Sequence, residues 1–324
     1  MNTNIQSKPP EILVSSITPC FRMKKYLKLF LEELPNQTMF DQLEIVLDHN
    51  EPDEEEIAWV KNFQHKYPGR IKHIIVPKVD PIGISMNRCI KEASGKYVTI
   101  WNVDDLRTPN SIEHQVAELE KNPEVGIVYG NFRVVRSFGS KNGSLVECSH
   151  YPPSELTRSM IIGPFYMFRK SLVEKAGYFD EQLKSGADFD LAVRLAFHAK
   201  ASMPRELLGY YLNEGLGAST RPNSKQPLDR TTIELRYGIY DKIDYDIVPR
   251  SVAEHTIPFM LEWNQWVPVS KYVPDYAKLL EDRKKMWFAK GMRRYILEKI
   301  FFVRPIKAKF KPIAKKILIK FNLT

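Results

Sequence analysis

Five apolar runs of strand length recur through the first 135 residues, and an amphipathic segment comes after each of the first four. The runs are "EILVSSITP", "QLEIVLDHN", "RIKHIIVP", "KYVTIWN" and "EVGIVYGNFRVV". After the first, "MKKYLKLFLEELPN" places Tyr26, Leu27, Phe30, Leu31 and Leu34 at helical spacing. After the second, "DEEEIAWVKNFQHKYPG" opens on acids, which suit a helix N-terminus, and stops at Pro68-Gly69. "GISMNRCIKEASG", closed by Gly95, comes after the third, and "SIEHQVAELEKNP" after the fourth. Such alternation predicts an α/β fold with a mostly parallel sheet between two layers of helices. Right-handed crossovers bring the strand C-termini to one edge, which is where such sheets bind ligands. With the first strand read as Glu11–Ile17, three groups lie at that edge: Thr18 to Phe21, Asp48 to Asn50, and the acids after Trp101.

The alternation stops after Val135. "SFGSKNGS" reads as a polar loop, and a helix is expected to begin near Asp188 with Leu191, Leu195 and Phe197 or His198 facing inward. "NEGLGASTRPNSKQP" reads as a joint. These features predict an α/β domain over residues 1–222 and a mostly helical region with a basic tail over 223–324.

Charge is distributed unevenly. Arg283–Thr324 holds fourteen Lys and Arg against one acid, Glu298, a net +13, while the rest of the chain sums to −4. A slightly acidic body has no broad surface for phosphate backbones, which argues against a nucleic-acid partner. Within the tail, Ile306, Phe310, Ile313, Ile317 and Phe321 recur at helical spacing with lysines around them. That pattern suits either an anionic membrane surface or packing against the domain with the lysines in solvent. Three scattered cysteines without a CxxC, no signal-peptide pattern and no apolar run of membrane-spanning length give a cytoplasmic expectation.

The fourth run ends on Asn102, Asp104 and Asp105. Acids there serve equally well as a cap for the next helix or as ligands for a hard divalent cation. Asp188, in "GADFDL", reads alone as a helix N-cap. Five stretches in order carry more information: "VSSITPCFRMKKYLKLFLEELPNQT", "LEIVLDHNEPDE", "GISMNRCIKEASGKYVTIWNVDD", "GPFYMFRKSLVEKAGYFDE" and "GADFDLAVRL". Together they resemble the family 2 glycosyltransferases of the A-type fold, over roughly Ile12 to Ser219.

The resemblance implies a Rossmann-like nucleotide-diphospho-sugar transferase (GT-A) fold and a nucleotide-sugar donor, most often a UDP-sugar, lying across the strand ends. It implies that Asp104 coordinates Mn2+ or Mg2+ on the diphosphate, and that Asp105 is a second ligand or orients the first. Asn102 stands where the family's first motif acid is common, at a ribose or metal contact. Pro19, Phe21 and Asp48 match positions lining the base pocket. Asp188 matches the catalytic base, with Asp190 a local support, and the reaction inverts the anomeric carbon. The acceptor would be a glycan or a lipid-linked hydroxyl in polysaccharide or glycolipid synthesis. This chain departs from the family pattern at Asn102, at Ala187, at His49-Asn50-Glu51, and in lacking an arginine before Asn87. Two rival readings are a nucleotidyltransferase, whose glycine-rich phosphate loop is missing from "SSITPCFRMKK", and a catalytically silent membrane-associated scaffold of the same fold.

Overall fold

The computed structural model describes residues 11–148, 162–215, 222, 224–237, 247, 250, 259–262 and 265–268. The chain divides into two compact units, Met1–Ser224 and Lys225–Thr324.

The first unit begins with β1 (Val14–Phe21), α1 (Lys24–Glu33), β2 (Leu43–Asn50), α2 (Glu54–Lys66), β3 (Ile71–Val76), α3 (Ile82–Glu92) and β4 (Tyr97–Ile100). Next come β5 (Leu106–Arg107), α4 (Ser111–Lys121), β6 (Val125–Val128), β7 (Phe132–Val135) and β8 (Ser144–Val146). β9 (Met167–Arg169), α5 (Val173–Ala176), α6 (Ala187–Ala196), β10 (Lys200–Ser202) and β11 (Gly209–Leu212) complete it. Seven strands form the main sheet in the order β10-β6-β9-β4-β1-β2-β3. Every pairing in it is parallel except those of β9, which runs antiparallel between β4 and β6. A second sheet has the order β5-β11-β7-β8. The expected mixed α/β architecture is therefore present.

Apolar periodicity explains the layers. α1 turns Leu27, Phe30 and Leu31 onto the sheet, and the Phe30 ring meets Trp101 edge-on at 5.4 Å. α2 is fixed at its start by a capping box between Asp53 and Glu56, which satisfies two otherwise orphaned N–H groups.

Four details differ from the sequence reading. β1 runs on to Phe21, so Thr18–Phe21 are strand residues rather than a following loop. Pro19 is tolerated there because of its direction: the Trp101 N–H reaches the Ile17 carbonyl, so Ile17 and Pro19 both face β4, which has ended at Ile100. The fifth run is two strands, β6 and β7, which belong to different sheets. Gly95 does not terminate α3, which ends at Glu92. Its lack of a side chain serves packing instead, since a Cβ would lie 2.7–2.9 Å from the backbone of Leu13–Ser15. Leu191 and Leu195 are buried as expected, along with most of α6, whereas Phe197 is half-buried and His198 exposed.

In the second unit, α7 (Gln226–Tyr237) and the antiparallel pair β12 (Phe259–Glu262) and β13 (Gln265–Pro268) are described. A hairpin was not part of the helical expectation; its run of Phe, Leu, Trp and Val favours strand. The basic tail lies outside the described residues. Among those described, no helix is long and apolar enough to cross a membrane.

Candidate active site

The tip of β4 is where the two sheets meet. After Ile100 the chain passes through Trp101 and a turn closed by Asp105 N–H to the Asn102 carbonyl, then enters β5 in the second sheet. Trp101 anchors this crossing by donating its indole N–H to the Asp105 carbonyl at 3.0 Å. Neither Asp104 nor Asp105 caps the next helix, because the N-cap of α4 is Asn110.

The two acids sit differently. Asp105 is buried; Oδ1 accepts the Leu212 N–H at 3.0 Å and Oδ2 accepts the Asn102 amide at 3.2 Å. Burial and the neighbouring Asp104 charge push its carboxyl well above the usual range, while the Arg107 guanidinium works the other way. Asp104 is half-buried, and among the described residues no side chain donates to its carboxylate. Burial raises its pKa, and the charge of Glu214 adds to the effect. Glu214 lies just past β11 and accepts from Lys25 at 2.9 Å and Tyr26 at 2.8 Å. Sequence reading missed Glu214: no motif marks it, and β11 brings it there through the Leu212–Asp105 bond. The turn thus has one acid turned into protein and one left available.

At the ends of β1 and β2, Pro19 and Phe21 are half-buried, and the Arg22 guanidinium lies 4.8 Å from the centre of the Phe21 ring. Asp48 is fully buried. Its Oδ1 accepts from Asn50 Nδ2 and its Oδ2 from Arg88 Nη1, both at 2.6 Å. Arg88 also pairs with Asp80. The guanidinium missing before Asn87 is therefore present one position after it. Its neighbour Asn87 in "MNRC" was the available signal.

Asp188 is the second residue of α6, whose N-cap is Gly186; the cap reading therefore fails for Asp188. Its Oδ1 accepts the Phe189 N–H at 2.8 Å, and burial raises its pKa. The Tyr166 hydroxyl donates to its main-chain carbonyl at 3.0 Å. Tyr166 directly precedes antiparallel β9, and its carbonyl accepts from Thr99 near the end of β4. Asp188 is therefore held at the same sheet edge as the β4 tip. Asp190 is buried and bound to Arg194 Nε at 2.9 Å, which suits a supporting role.

Two cavities, of about 390 and 510 Å³, open at the opposite edge, beneath β4, β6 and β9. None of Asp48, Arg88, Asp104, Asp105, Asp188 and Glu214 lines them. Arg169, shared by both, spends its N–H groups on the carbonyls of Leu119, Asn122 and Val125 and on Tyr97. The carboxylates gather at the other edge.

Comparison with known proteins agrees with this geometry. The family model described as glycosyl transferase family 2 matches residues 15–177. An uncharacterized glycosyltransferase of Methanocaldococcus jannaschii is 29% identical over 227 residues, covering 67% of this chain and 73% of its own. Chondroitin synthase of Escherichia coli is 24% identical over 184 residues; the match covers 57% of this chain but 26% of the synthase. Among solved structures, S. aureus TarS 1–349 in complex with UDP-GlcNAc superposes with a TM-score of 0.55 at 16% identity, over 96% of this chain and 80% of that one. Mannosyltransferase PcManGT from Pyrobaculum calidifontis, in complex with GDP-Man and Mn2+, gives 0.50 at 15% identity, over 87% and 85%. At those identities the likeness concerns the fold, which is GT-A. With a family model spanning half its length and an acid-bearing sheet edge of the matching kind, this chain belongs to glycosyl transferase family 2 and is a glycosyltransferase.

Proposed function

We propose that the protein is an inverting, divalent-cation-dependent glycosyltransferase that moves a sugar from a nucleotide-sugar, a UDP-sugar by preference, to a hydroxyl of a glycan or lipid-linked acceptor. The domain doing so is residues 1–222. The observation that carries this reading is the division of labour at one sheet edge. Asp104 keeps its carboxylate free of side-chain donors, and Asp188, tied to the same edge through Tyr166, has a raised pKa.

Asp104 fits a hard cation, because its carboxylate takes no side-chain donor among the described residues while Asp105 beside it is spent on Leu212 and Asn102. Among the described residues there is no group of three acids, histidines or cysteines able to hold a metal. Asp104 would therefore hold the ion with few protein partners, diphosphate oxygens and water making up the shell. When bound, such an ion supplies Lewis-acid neutralisation of the leaving diphosphate. Asp105 orients the turn by fixing Asn102 and Leu212. Pro19, Phe21, Asp48 and Arg88 border the nucleoside. Asp188 takes the acceptor hydroxyl proton as that oxygen bonds to the anomeric carbon and the bond to diphosphate breaks on the other face.

A thermal-shift screen of UDP, GDP and their sugar conjugates, with and without Mn2+, tests this. At about 100 times Kd a nucleotide adds roughly 2.7 kcal/mol, or about 5–10 °C in Tm, and the shift is expected to be larger with Mn2+. Equal melting under all conditions overturns the reading.

For the tail, 283–324, we propose contact with an anionic membrane surface, supported by its one-sided charge. In flotation with phosphatidylserine vesicles, the full chain is expected to float and a chain ending at Asp282 to float far less. Equal flotation refutes it.

A further inference from the structure

The segment that delivers Asp188 has little regular structure of its own. Between α5 and α6 it runs through residues 177–186, and α3 grips it at one place. Asn87, buried on α3, treats Phe179 as a neighbouring strand would. Its Oδ1 accepts the Phe179 N–H at 2.8 Å, and its Nδ2 donates to the Phe179 carbonyl at 3.0 Å. The same Nδ2 reaches Glu181 Oε1 at 2.9 Å. One turn earlier, Gly83 lets residues 180–181 come close: a Cβ there would lie 3.0 Å from the Asp180 carbonyl and from Glu181 Cα. Positions 83 and 87 share a helix face, so one stripe of α3 is moulded to this segment.

The rest of α3 is tied to the donor edge. Arg88 bonds to Asp48 and pairs with Asp80, and Ser85 Oγ accepts from Asn50. Cys89 Sγ donates to the Val46 carbonyl at 3.3 Å. A helix held on both sides cannot shift at one without moving the other, since packed interiors transmit strain.

We infer that Asn87 is a positioning residue for the transfer step: it sets the place of Asp188 through residues 179–181, and through α3 it couples that place to the Asp48–Asn50–Asp80–Arg88 network. The inference rests on the assignment of Asp188 as the base. An amide is required because the job needs an acceptor and donors in one planar group. Aspartate keeps the shape but loses the donors and faces Glu181 with like charge.

The test compares Asn87→Asp and Gly83→Ala with the parent, full length, for kcat, donor KM, UDP affinity with Mn2+ by calorimetry, and Tm. Gly83→Ala pushes the same segment by tenths of an ångström with every hydrogen bond kept, and so serves if Asn87→Asp folds poorly. Positioning predicts kcat lower by about 10- to 100-fold, in line with the cost of a misplaced base, with donor KM and UDP affinity within about 3-fold. A parent-like kcat in either folded variant overturns it. So does a kcat that falls only in proportion to UDP affinity, which is what a purely structural role gives. Asp188→Asn is the control: if that variant keeps the parent rate, the base assignment fails, whereas loss of activity there with unaltered Asn87→Asp kinetics refutes the positioning alone.

Discussion

Asp188→Asn is expected to lower kcat by about 10³-fold or more while leaving the affinity for a UDP-sugar within a factor of about three. The substitution keeps side-chain volume and the Phe189 N–H contact, so the start of α6 should survive it. What it removes is the proton acceptor. The pH dependence sharpens the test. Burial raises the Asp188 pKa above that of a solvated aspartate. A base works deprotonated, so the parent's rate should fall as pH drops through that raised value, at a higher pH than a solvated aspartate would give. The residual activity of the variant should lack that limb. Asp190→Asn is the natural comparison, because Asp190 is buried and committed to Arg194. If Asp188→Asn turned over at the parent rate, or both profiles shared one acid limb, another group would be the base.

Legibility differed along the chain for physical reasons. The first four strand and helix pairs were readable because each is local: an apolar run, a helical stripe, and an acid or Gly-Pro boundary. β9 was not, since "YMFR" becomes a strand through pairing with β4 and β6, both more than thirty residues away in sequence. The split of "EVGIVYGNFRVV" has the same origin. The run is interrupted at Gly130-Asn131, and the partner sheets, β10 and β9 for one half and β11 and β8 for the other, make that interruption a break. In the proposed site, the ordered motifs point to Asp104, Asp105 and Asp188, but not to their unequal environments. Which acid of the pair is free depends on the Leu212 N–H, contributed by a strand more than a hundred residues on. Glu214 and Tyr166 were invisible for that reason too. Arg88 is not marked by the family pattern, which places its arginine on the other side of Asn87.

Arg194→Met should destabilise the fold by about 3–5 kcal/mol, the range for breaking a buried ion pair from one side. Arg194 is 3% exposed and Asp190 0%. Its guanidinium donates to Asp190, to the Ala176 carbonyl and to the Tyr178 carbonyl, the last at 2.7 Å. Those carbonyls flank Gly177, whose φ of +81° makes the turn possible. Methionine fills much of the space but returns no donor, so Asp190 loses its cation and the turn its cross-link. Urea unfolding should show the midpoint falling with little change in m. Asp190→Asn combined with Arg194→Met should cost less than the two singles together, because each single variant breaks the same buried ion pair. A single-variant loss under about 1 kcal/mol would mean that the turn before the Asp188 segment is held by other contacts. The position of Asp188 would then depend on α3 alone, and Asn87→Asp should become the more damaging of the two substitutions for turnover.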